Sequence, residues 1–584
     1  MKALIFNSGR GSRMGQLTEQ CPKCLLKLSS GETILGRQLR ILAGCGITEA
    51  VITTGAYEAD ILAEAQKQSG ITVQSVPNPR YDSTNYIYSM HLARPFLDDD
   101  VLMLHGDLVF SRDLVQAMLD DARADLCLIH PDVPQPPKDF KGRIADGCLQ
   151  AVSVELSDAQ SFALQPMYKL SRSTMAAWLA RVQEFVQAGR TDVYAEEALD
   201  AVTGAHRIEP LSYAPYFISE IDTPDDYAAV CRQIARYDEG VRFSLSAIAV
   251  LLAKYGAKRP FFVMGRHLQG SDVHKLLTSL GVDAGYDFSV QENPSDESTA
   301  RTLEAFLAHR GDLLVSIGGG SAMDTAKTVK YRLLEAQDAA KLVHIAVPTT
   351  AGSGSEATQF AVIYQGGVKC SLEHPALLPE HCILDSRLLH SLSPQQRKVS
   401  LLDAICHSTE SLLSRHATPE SRQCAVLSLQ ALLADCVAFA EGEQSVYDRM
   451  LLAAHDAGRA IQQTRTTFAH AMSYVLTAEY GMQHGQAVML CLMHGLRYVE
   501  QNGMAALEEV RQALGCRAEE TASARLFAIY RRMQLEERPW LQGADPAVLA
   551  GKVNAQRLSN SVIVFSQADL QSIYASVADV YDGK

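Results

Sequence analysis

The chain has 584 residues, enough for three or four structural units at about 100–200 residues each. Hydrophobic residues make up 47% and charged residues 21%, a balance that excludes a disordered chain. Lysine and arginine number 53 against 67 acids, and the net charge of −14 argues against a nucleic-acid or anionic-membrane surface while leaving room for local basic pockets.

The chain opens on a β-type run at residues 2–6, too short an apolar stretch for a signal peptide. A loop rich in glycine, serine and arginine follows, then helical patterning over 34–42 and further β-type runs at 50–54 and 100–104. A second strand–helix series starts at 261–264 and repeats at 313–317 and 344–347. Beyond about Pro394 the texture turns to long alanine- and leucine-rich helical segments such as 421–440, with one short β-type run at 561–565. The expected class is α/β: an N-terminal Rossmann-like domain over 1–235, an α/β dinucleotide-binding subdomain over 240–395, and an all-helical subdomain over 396–584. The first junction, near 232–242, has no Gly/Ser/Pro linker. No apolar run approaches the roughly 20 residues of a membrane span. The thirteen cysteines are scattered and odd in number, which predicts a reduced, cytoplasmic setting.

The first loop reads Asn7-Ser8-Gly9-Arg10-Gly11-Ser12-Arg13-Met14, then Thr18 and Pro22-Lys23. Glycines after a strand let backbone N–H groups approach phosphates, and Arg13 and Lys23 would neutralise a triphosphate. Farther on, Asn78-Pro79-Arg80-Tyr81-Asp82 leads into Asn85-Tyr86-Ile87-Tyr88-Ser89. Together these resemble the nucleotidyltransferases, in particular their phosphocholine cytidylyltransferase-like branch. The resemblance implies CTP binding by Asn7, Ser8, Gly9, Gly11, Asn85, Tyr88 and Ser89. It implies Mg²⁺ on Asp107 and on Asp222 of Glu220-Ile221-Asp222, with Arg13 and Lys23 beside them. Two carboxylates suit a hard cation that keeps phosphate and water oxygens. Further basic candidates for acceptor or phosphate contact are Lys138-Asp139-Phe140-Lys141 and Lys169, and Cys21 and Cys24 read as packing residues without a second pair to complete a zinc site.

The second half carries Gly318-Gly319-Gly320-Ser321 directly after a β-type run and opening a helix, with Asp324 and Lys327 behind it. Then come Pro348-Thr349-Thr350-Ala351-Gly352-Ser353-Gly354-Ser355-Glu356, Lys369, and Asp403-Ala404-Ile405-Cys406-His407, whose carboxylate and imidazole share one helix face. This pattern resembles the iron-containing (group III) alcohol dehydrogenases, with His470 and His484-Gly485 at the positions of two later metal ligands. The resemblance implies a dinucleotide held by Gly265, Arg266, Gly318, Gly319, Gly320, Ser321, Asp324, Thr349, Thr350, Ser353 and Lys369. It implies Fe²⁺ or Zn²⁺ on Asp403, His407, His470 and His484. Where many relatives have an aspartate to receive the ribose hydroxyls, this chain has Gly265 followed by Arg266, so NADPH is expected to be preferred over NADH. Where many relatives carry a further histidine, this chain has Tyr474, a phenol with an ordinary pKa near ~10 in place of ~6.5. Lys369-Cys370-Ser371-Leu372-Glu373-His374 and Tyr474 look like the phosphonoacetaldehyde reductases of that family.

A reductase makes an alcohol, and a cytidylyltransferase of this branch consumes a small anionic acceptor. Phosphonoacetaldehyde fits both: its reduction gives 2-hydroxyethylphosphonate, and cytidylylation gives CMP-hydroxyethylphosphonate and pyrophosphate. The alternative is a sugar or triose phosphate reduced and converted to a CDP-alditol. The expected partners are these small molecules and CTP, with no nucleic acid, no membrane, and self-association through the dehydrogenase half.

Overall fold

A computed structural model describes residues 1–9, 11–133, 139–336, 342–366, 368–505, 507–535, 541 and 543–579, without the side chains of Ser12, Val368, Lys369 and Asp579. The chain forms two compact units, Met1–Ala247 and Ile248–Lys584.

In the first unit a sheet runs in the order Glu209–Ser212, Leu126–His130, Ser161–Leu170, Val101–His105, Lys2–Asn7, Glu49–Thr54, Thr72–Pro77. Lys2–Asn7 pairs in parallel with Glu49–Thr54 on one side and with Val101–His105 on the other. The chain therefore leaves Lys2–Asn7 in one direction and returns on its other flank, which opens a crevice at the carboxyl ends of these two strands. Both strands are almost wholly buried, as their near-continuous apolar runs require when helices cover both faces. Phe6 and His105 stand in register, so Asn7 and the turn Gly106-Asp107 meet at the crevice. A Cβ on Gly106 would fall 1.7 Å from Asn7 Oδ1 and 2.5 Å from the Phe6 carbonyl, so only glycine lets the two strand ends close up.

The boundary expected at 235–240 moves. Helix Pro224–Asp238 runs through residue 235, with Thr223 and Asp226 closing a capping box at its start. Its end is tied into the first unit by a two-pronged Arg37–Asp238 pair at 2.8 Å and by the Tyr237 hydroxyl on Asp113 at 2.7 Å.

The second unit places His381–Ile383, His344–Pro348, Leu313–Gly318, Pro260–Met264 and Gly285–Asp287 side by side, all parallel. Helix Gly320–Glu335 starts immediately after Leu313–Gly318. From Pro394 onward helices take over. Helix Pro394–Leu412 opens on a Ser393–Gln396 capping box with proline at its first position, and packs against Pro419–Glu441, Tyr447–Thr464 and His484–Gln501. Helix Phe468–Tyr480 packs on His484–Gln501. The β-type run at 561–565 does not form a strand; it supplies one isolated bridge, Ser561 to Ser414. Val562 and Val564 face solvent, at 52% and 76% exposure, while Ile563 and Phe565 are buried, so the alternation marks a half-buried coil. Helix Pro419–Glu441, with mean hydropathy 1.6 over its most apolar window, is long and apolar enough by composition to cross a membrane, which corrects the expectation of no such segment. Here Cys424, Ala425, Leu429, Leu432 and Phe439 bury one side of it among the neighbouring helices. All thirteen cysteines are free thiols.

Two candidate active sites

Each unit holds a cavity lined by its own residues. In the first, a cleft of about 330 Å³ is lined by Asn7, Ser8, Gly9, Gly11, Arg13, Lys23, Asn85, Asp107 and Asp222, as the sequence led us to expect. Lys23 Nζ bridges the two aspartates, at 3.0 Å from Asp107 Oδ2 and 2.8 Å from Asp222 Oδ1. Arg13 Nη1 lies 2.9 Å from the other Asp222 oxygen. Burial opposes the charge on Lys23, but Asp107 and Asp222 outweigh it and lift the ammonium above its ordinary value. Burial likewise opposes the Asp222 carboxylate, and Lys23 and Arg13 pull it below the usual range.

Two further groups reach the same place. His105 Nδ1 is 3.5 Å from Glu220 Oε1, and these side chains with Asp107 bring one ligand atom each within 4.8 Å of one another. Burial, and after it the Asp107 and Asp222 charges, push the Glu220 carboxyl up, against the opposing His105. Four acidic side chains, Asp107, Asp139, Glu220 and Asp222, line the cleft with Lys23 and Arg13, a set of oxygen donors that fits a hard divalent ion such as Mg²⁺. The geometry groups Asp107 with His105 and Glu220, and Lys23, which pairs with both aspartates, joins Asp222 to that group.

Other expectations for this cleft need correction. Ser89 is fully buried behind it, 2.8 Å from Ser8 Oγ and accepting from Asn78 Nδ2 at 2.9 Å, so it braces the loop and does not face a ligand. Tyr88 does not line the cleft; its ring carries the Arg80 guanidinium at 4.9 Å. Its neighbour Tyr86 lines the cleft instead, with its hydroxyl donating to the buried Glu196. Lys141 and Lys169 donate to the carbonyls of Val154 and Asp121, both at 2.6 Å, and neither lines the cleft. Asp139 and Phe140 do; Lys138 and Arg10 lie outside the described residues.

The second cavity, about 300 Å³, brings Gly320, Ser321, Asp324 and Ser353 together with Asp403, His407, His470 and His484. Gly319 caps helix Gly320–Glu335, whose unpaired N–H groups open to this space. Gly318, Gly319, Thr349 and Thr350 are not among the cavity's lining residues; the Thr349 N–H donates to the Gly318 carbonyl at 2.9 Å and holds the two strand ends together. Gly265 and the exposed Arg266 lie at the end of Pro260–Met264, outside the lining, and the Lys369 side chain lies outside the described residues. Lys327 is fully buried and donates to the carbonyls of Ser355, Thr358 and Phe360 at 2.5, 2.7 and 2.8 Å. It is a structural staple away from the phosphate loop, and burial pulls its pKa down to about 8.

Asp403, His470 and His484 bring one ligand atom each within 4.8 Å of one another, and His407 joins them at Asp403. The Nε2 atoms of His407, His470 and His484 lie 3.7, 3.6 and 3.9 Å from Asp403 Oδ1. Ligands about 2.1 Å from a tetrahedral ion stand about 3.4 Å apart, so the spacing is close to that of a coordination shell. Asp403 Oδ1 and His470 Nε2 are buried with no hydrogen-bond partner among the described residues, as atoms reserved for an ion are. Burial opposes the Asp403 charge, yet the histidines hold it well below the usual carboxylate range. One carboxylate with three imidazoles therefore fits a divalent first-row metal. Gly485 makes the convergence possible: a Cβ there would lie 2.1 Å from the Val399 carbonyl, so only glycine lets helix His484–Gln501 reach Asp403.

Sequence reasoning missed Glu410. It is fully buried, receives His470 Nδ1 on one oxygen, and with the other accepts from the backbone of Thr467, Ala469 and His470 at 2.9, 3.1 and 3.2 Å. It orients the imidazole and supplies the negative charge that the N-terminus of helix Phe468–Tyr480 favours. Its spacing of i+7 from Asp403 on the same helix face is the signal that was available.

Three family models match the chain: iron-containing alcohol dehydrogenase over residues 241–386, the C-terminal part of the Fe-containing alcohol dehydrogenase family over 399–544, and a MobA-like NTP transferase domain over 3–184. Among curated relatives, a phosphonoacetaldehyde reductase of Streptomyces viridochromogenes is 33% identical over 36% of this chain and 59% of its own length. Alcohol dehydrogenase 4 of Schizosaccharomyces pombe is 30% identical over 46% of this chain and 68% of its own. A sulfoacetaldehyde reductase of Bilophila wadsworthia is 27% identical over 41% and 63%. The solved iron-containing alcohol dehydrogenase of Thermotoga maritima superposes with a TM-score of 0.52 at 26% identity, covering 58% of this chain and 98% of that one.

Proposed function

The chain belongs to the iron-containing alcohol dehydrogenases through its second half and carries a MobA-like NTP transferase domain in its first, and from that pairing we propose a two-step enzyme of phosphonate metabolism. It reduces phosphonoacetaldehyde to 2-hydroxyethylphosphonate, then transfers CMP from CTP to the phosphonate. The observation that carries this reading is the presence, in one polypeptide, of two cavities: one with a metal quartet beside a glycine-capped helix, and one with a carboxylate cluster gripped by Lys23 and Arg13. The 33% identity to a phosphonoacetaldehyde reductase supports the choice of aldehyde.

In the second cavity Asp403, His407, His470 and His484 would hold Fe²⁺ or Zn²⁺, which supplies a Lewis acid for a carbonyl oxygen, and a bound nicotinamide dinucleotide supplies the hydride. The N–H groups at Gly320 and Ser321 receive the pyrophosphate, and Glu410 fixes the His470 ring. The absence of an acidic side chain at Gly265, together with the exposed Arg266 guanidinium, supports a preference for NADPH over NADH. In the first cleft Asp107, Asp222 and Glu220 would hold Mg²⁺, which offsets triphosphate charge. There Lys23 and Arg13 neutralise the phosphates while a phosphonate oxygen forms a bond to the α-phosphorus and the bond to pyrophosphate breaks. A cytoplasmic, self-associating enzyme completes the proposal; thirteen free thiols support the setting.

The test supplies phosphonoacetaldehyde, NADPH or NADH, CTP and Mg²⁺ to the metal-loaded protein and follows products by ³¹P NMR. The expected products are 2-hydroxyethylphosphonate and then its CMP conjugate with pyrophosphate, faster with NADPH. Far better use of ribitol phosphate or phosphocholine as cytidylyl acceptor would refute the substrate assignment.

A further inference from the structure

Three sequence features of the second half meet at one wall of its cavity. Strand Val368–Glu373 pairs with Phe360–Gln365 in a hairpin. On it, Ser371 Oγ accepts from Arg557 Nη2 at 2.9 Å, and Glu373 accepts from Arg465 Nη2 and Nε at 2.6 and 3.2 Å. Tyr474, one turn beyond His470, lines the same cavity as Arg557 and interacts with it. Both guanidiniums line the cavity that contains the metal quartet.

Arg465 is held in an unusual way. Its φ of 57° and ψ of 173° fall in a region almost reserved for glycine, and such strain persists where the surroundings over-determine it, chiefly at ligand sites. Glu373 offsets its charge. Arg557 differs: among the described residues no carboxylate pairs with it, and its remaining neighbour is the Phe360 ring, with 5.8 Å to the centroid. A half-buried guanidinium without a counter-ion, fixed by a hydroxyl and an aromatic face, is built to receive an anion through charge-assisted hydrogen bonds. Tyr474 follows His470 by one helical turn, a rise of about 6 Å, and Arg557 lines the same cavity as the metal ligands, so an anion at Arg557 shares that cavity with them.

We infer that Arg557, steadied by Ser371 and Tyr474 and seconded by the strained Arg465, forms the subsite for a tetrahedral oxyanion carried by the aldehyde. Arg557 is thus a specificity-determining residue that selects short anionic aldehydes over uncharged ones of the same length. The inference rests on the reading that this half reduces such an aldehyde.

The experiment compares kcat/KM for phosphonoacetaldehyde and propionaldehyde in the full-length, metal-loaded protein and in Arg557→Met, Arg557→Lys and Ser371→Ala, and measures phosphonoacetate binding by calorimetry. In Arg557→Met the ratio of the two kcat/KM values should fall about 10- to 100-fold, mostly through KM, and phosphonoacetate should bind weaker by a similar factor. Lysine should recover part of both effects, and Ser371→Ala should show a smaller loss of the same kind. Equal losses on both aldehydes would assign Arg557 to cofactor binding or folding and overturn the inference, as would unchanged phosphonoacetate affinity. Preference of the unaltered enzyme for propionaldehyde would overturn it too. If sulfoacetaldehyde or glyceraldehyde 3-phosphate proves the better substrate and loses equally in Arg557→Met, the subsite stands and the phosphonate reading falls.

Discussion

Glu410 illustrates how one side chain serves two requirements at once. Burial disfavours its charge, but His470 and the donors around it keep the carboxylate below its ordinary pKa. In Glu410→Gln the anion beside His470 and the helix N-terminus is lost while the shape is kept. Metal affinity should fall about 10- to 100-fold, read as retained metal after dialysis against graded chelator. Unchanged retention would mean that the Glu410 bond does not hold the ring. The residue was hidden in the sequence because a glutamate inside a helix reads as surface; only the fold turns Ser408-Thr409-Glu410-Ser411 into a fully buried polar stretch. By contrast, Lys23, Asp107 and the metal quartet were legible through the resemblance of their motifs to known families, and of the quartet the spacing alone shows only that Asp403 and His407 share a helix face. Ser89 and Tyr88 misled for the converse reason. Helix Tyr86–Ala93 turns about 100° per residue, so one position decides which of its polar groups sees the cleft.

At the scale of elements, helix Glu196–Thr203 brings a carboxyl into the first unit's core. Burial drives the Glu196 pKa up to about 8, with the Tyr86 and Tyr168 hydroxyls as its side-chain partners. The folded form therefore keeps a proton that the unfolded chain releases near its ordinary value of 4.5. Stability from this group is complete below about pH 4.5 and is lost progressively as pH rises through about 8. Glu196→Gln keeps a neutral group of the same size. Its melting midpoint should match the unaltered protein near pH 4.5 and exceed it by at least about 3 °C near pH 9. Equal midpoints at the higher pH would show that Glu196 is ionised in the fold. The sequence disclosed the parallel strands and the long helices because their apolar runs are continuous or periodic. It did not disclose that 561–565 would form no strand beyond one bridge, nor that Pro224–Asp238 belongs wholly to the first unit, since strand partners and the Arg37–Asp238 contact are set by residues far away in the chain.

On the scale of the whole molecule, each cavity is completed by residues of its own unit: those of the cleft end at Asp222, and those of the second cavity begin at Glu292. The two chemistries should therefore be separable by single substitutions. Asp107→Ala should abolish pyrophosphate release and leave NADPH oxidation by the aldehyde intact, and His407→Ala should do the reverse. Loss of both activities from either change would show that the sites depend on each other.

The hairpin of Phe360–Gln365 and Val368–Glu373 pairs only with itself among the described strands, apart from either large sheet. Ser371 and Glu373 are two positions apart on one strand, so they share a face, and a one-residue shift in pairing would carry both to the opposite side. A single insertion or deletion near its turn would thus release both arginines while the nucleotide loop and the metal quartet stay as they are. Descent within such a family has, in this hairpin, a place where preference for a new aldehyde arises without first rebuilding the catalyst.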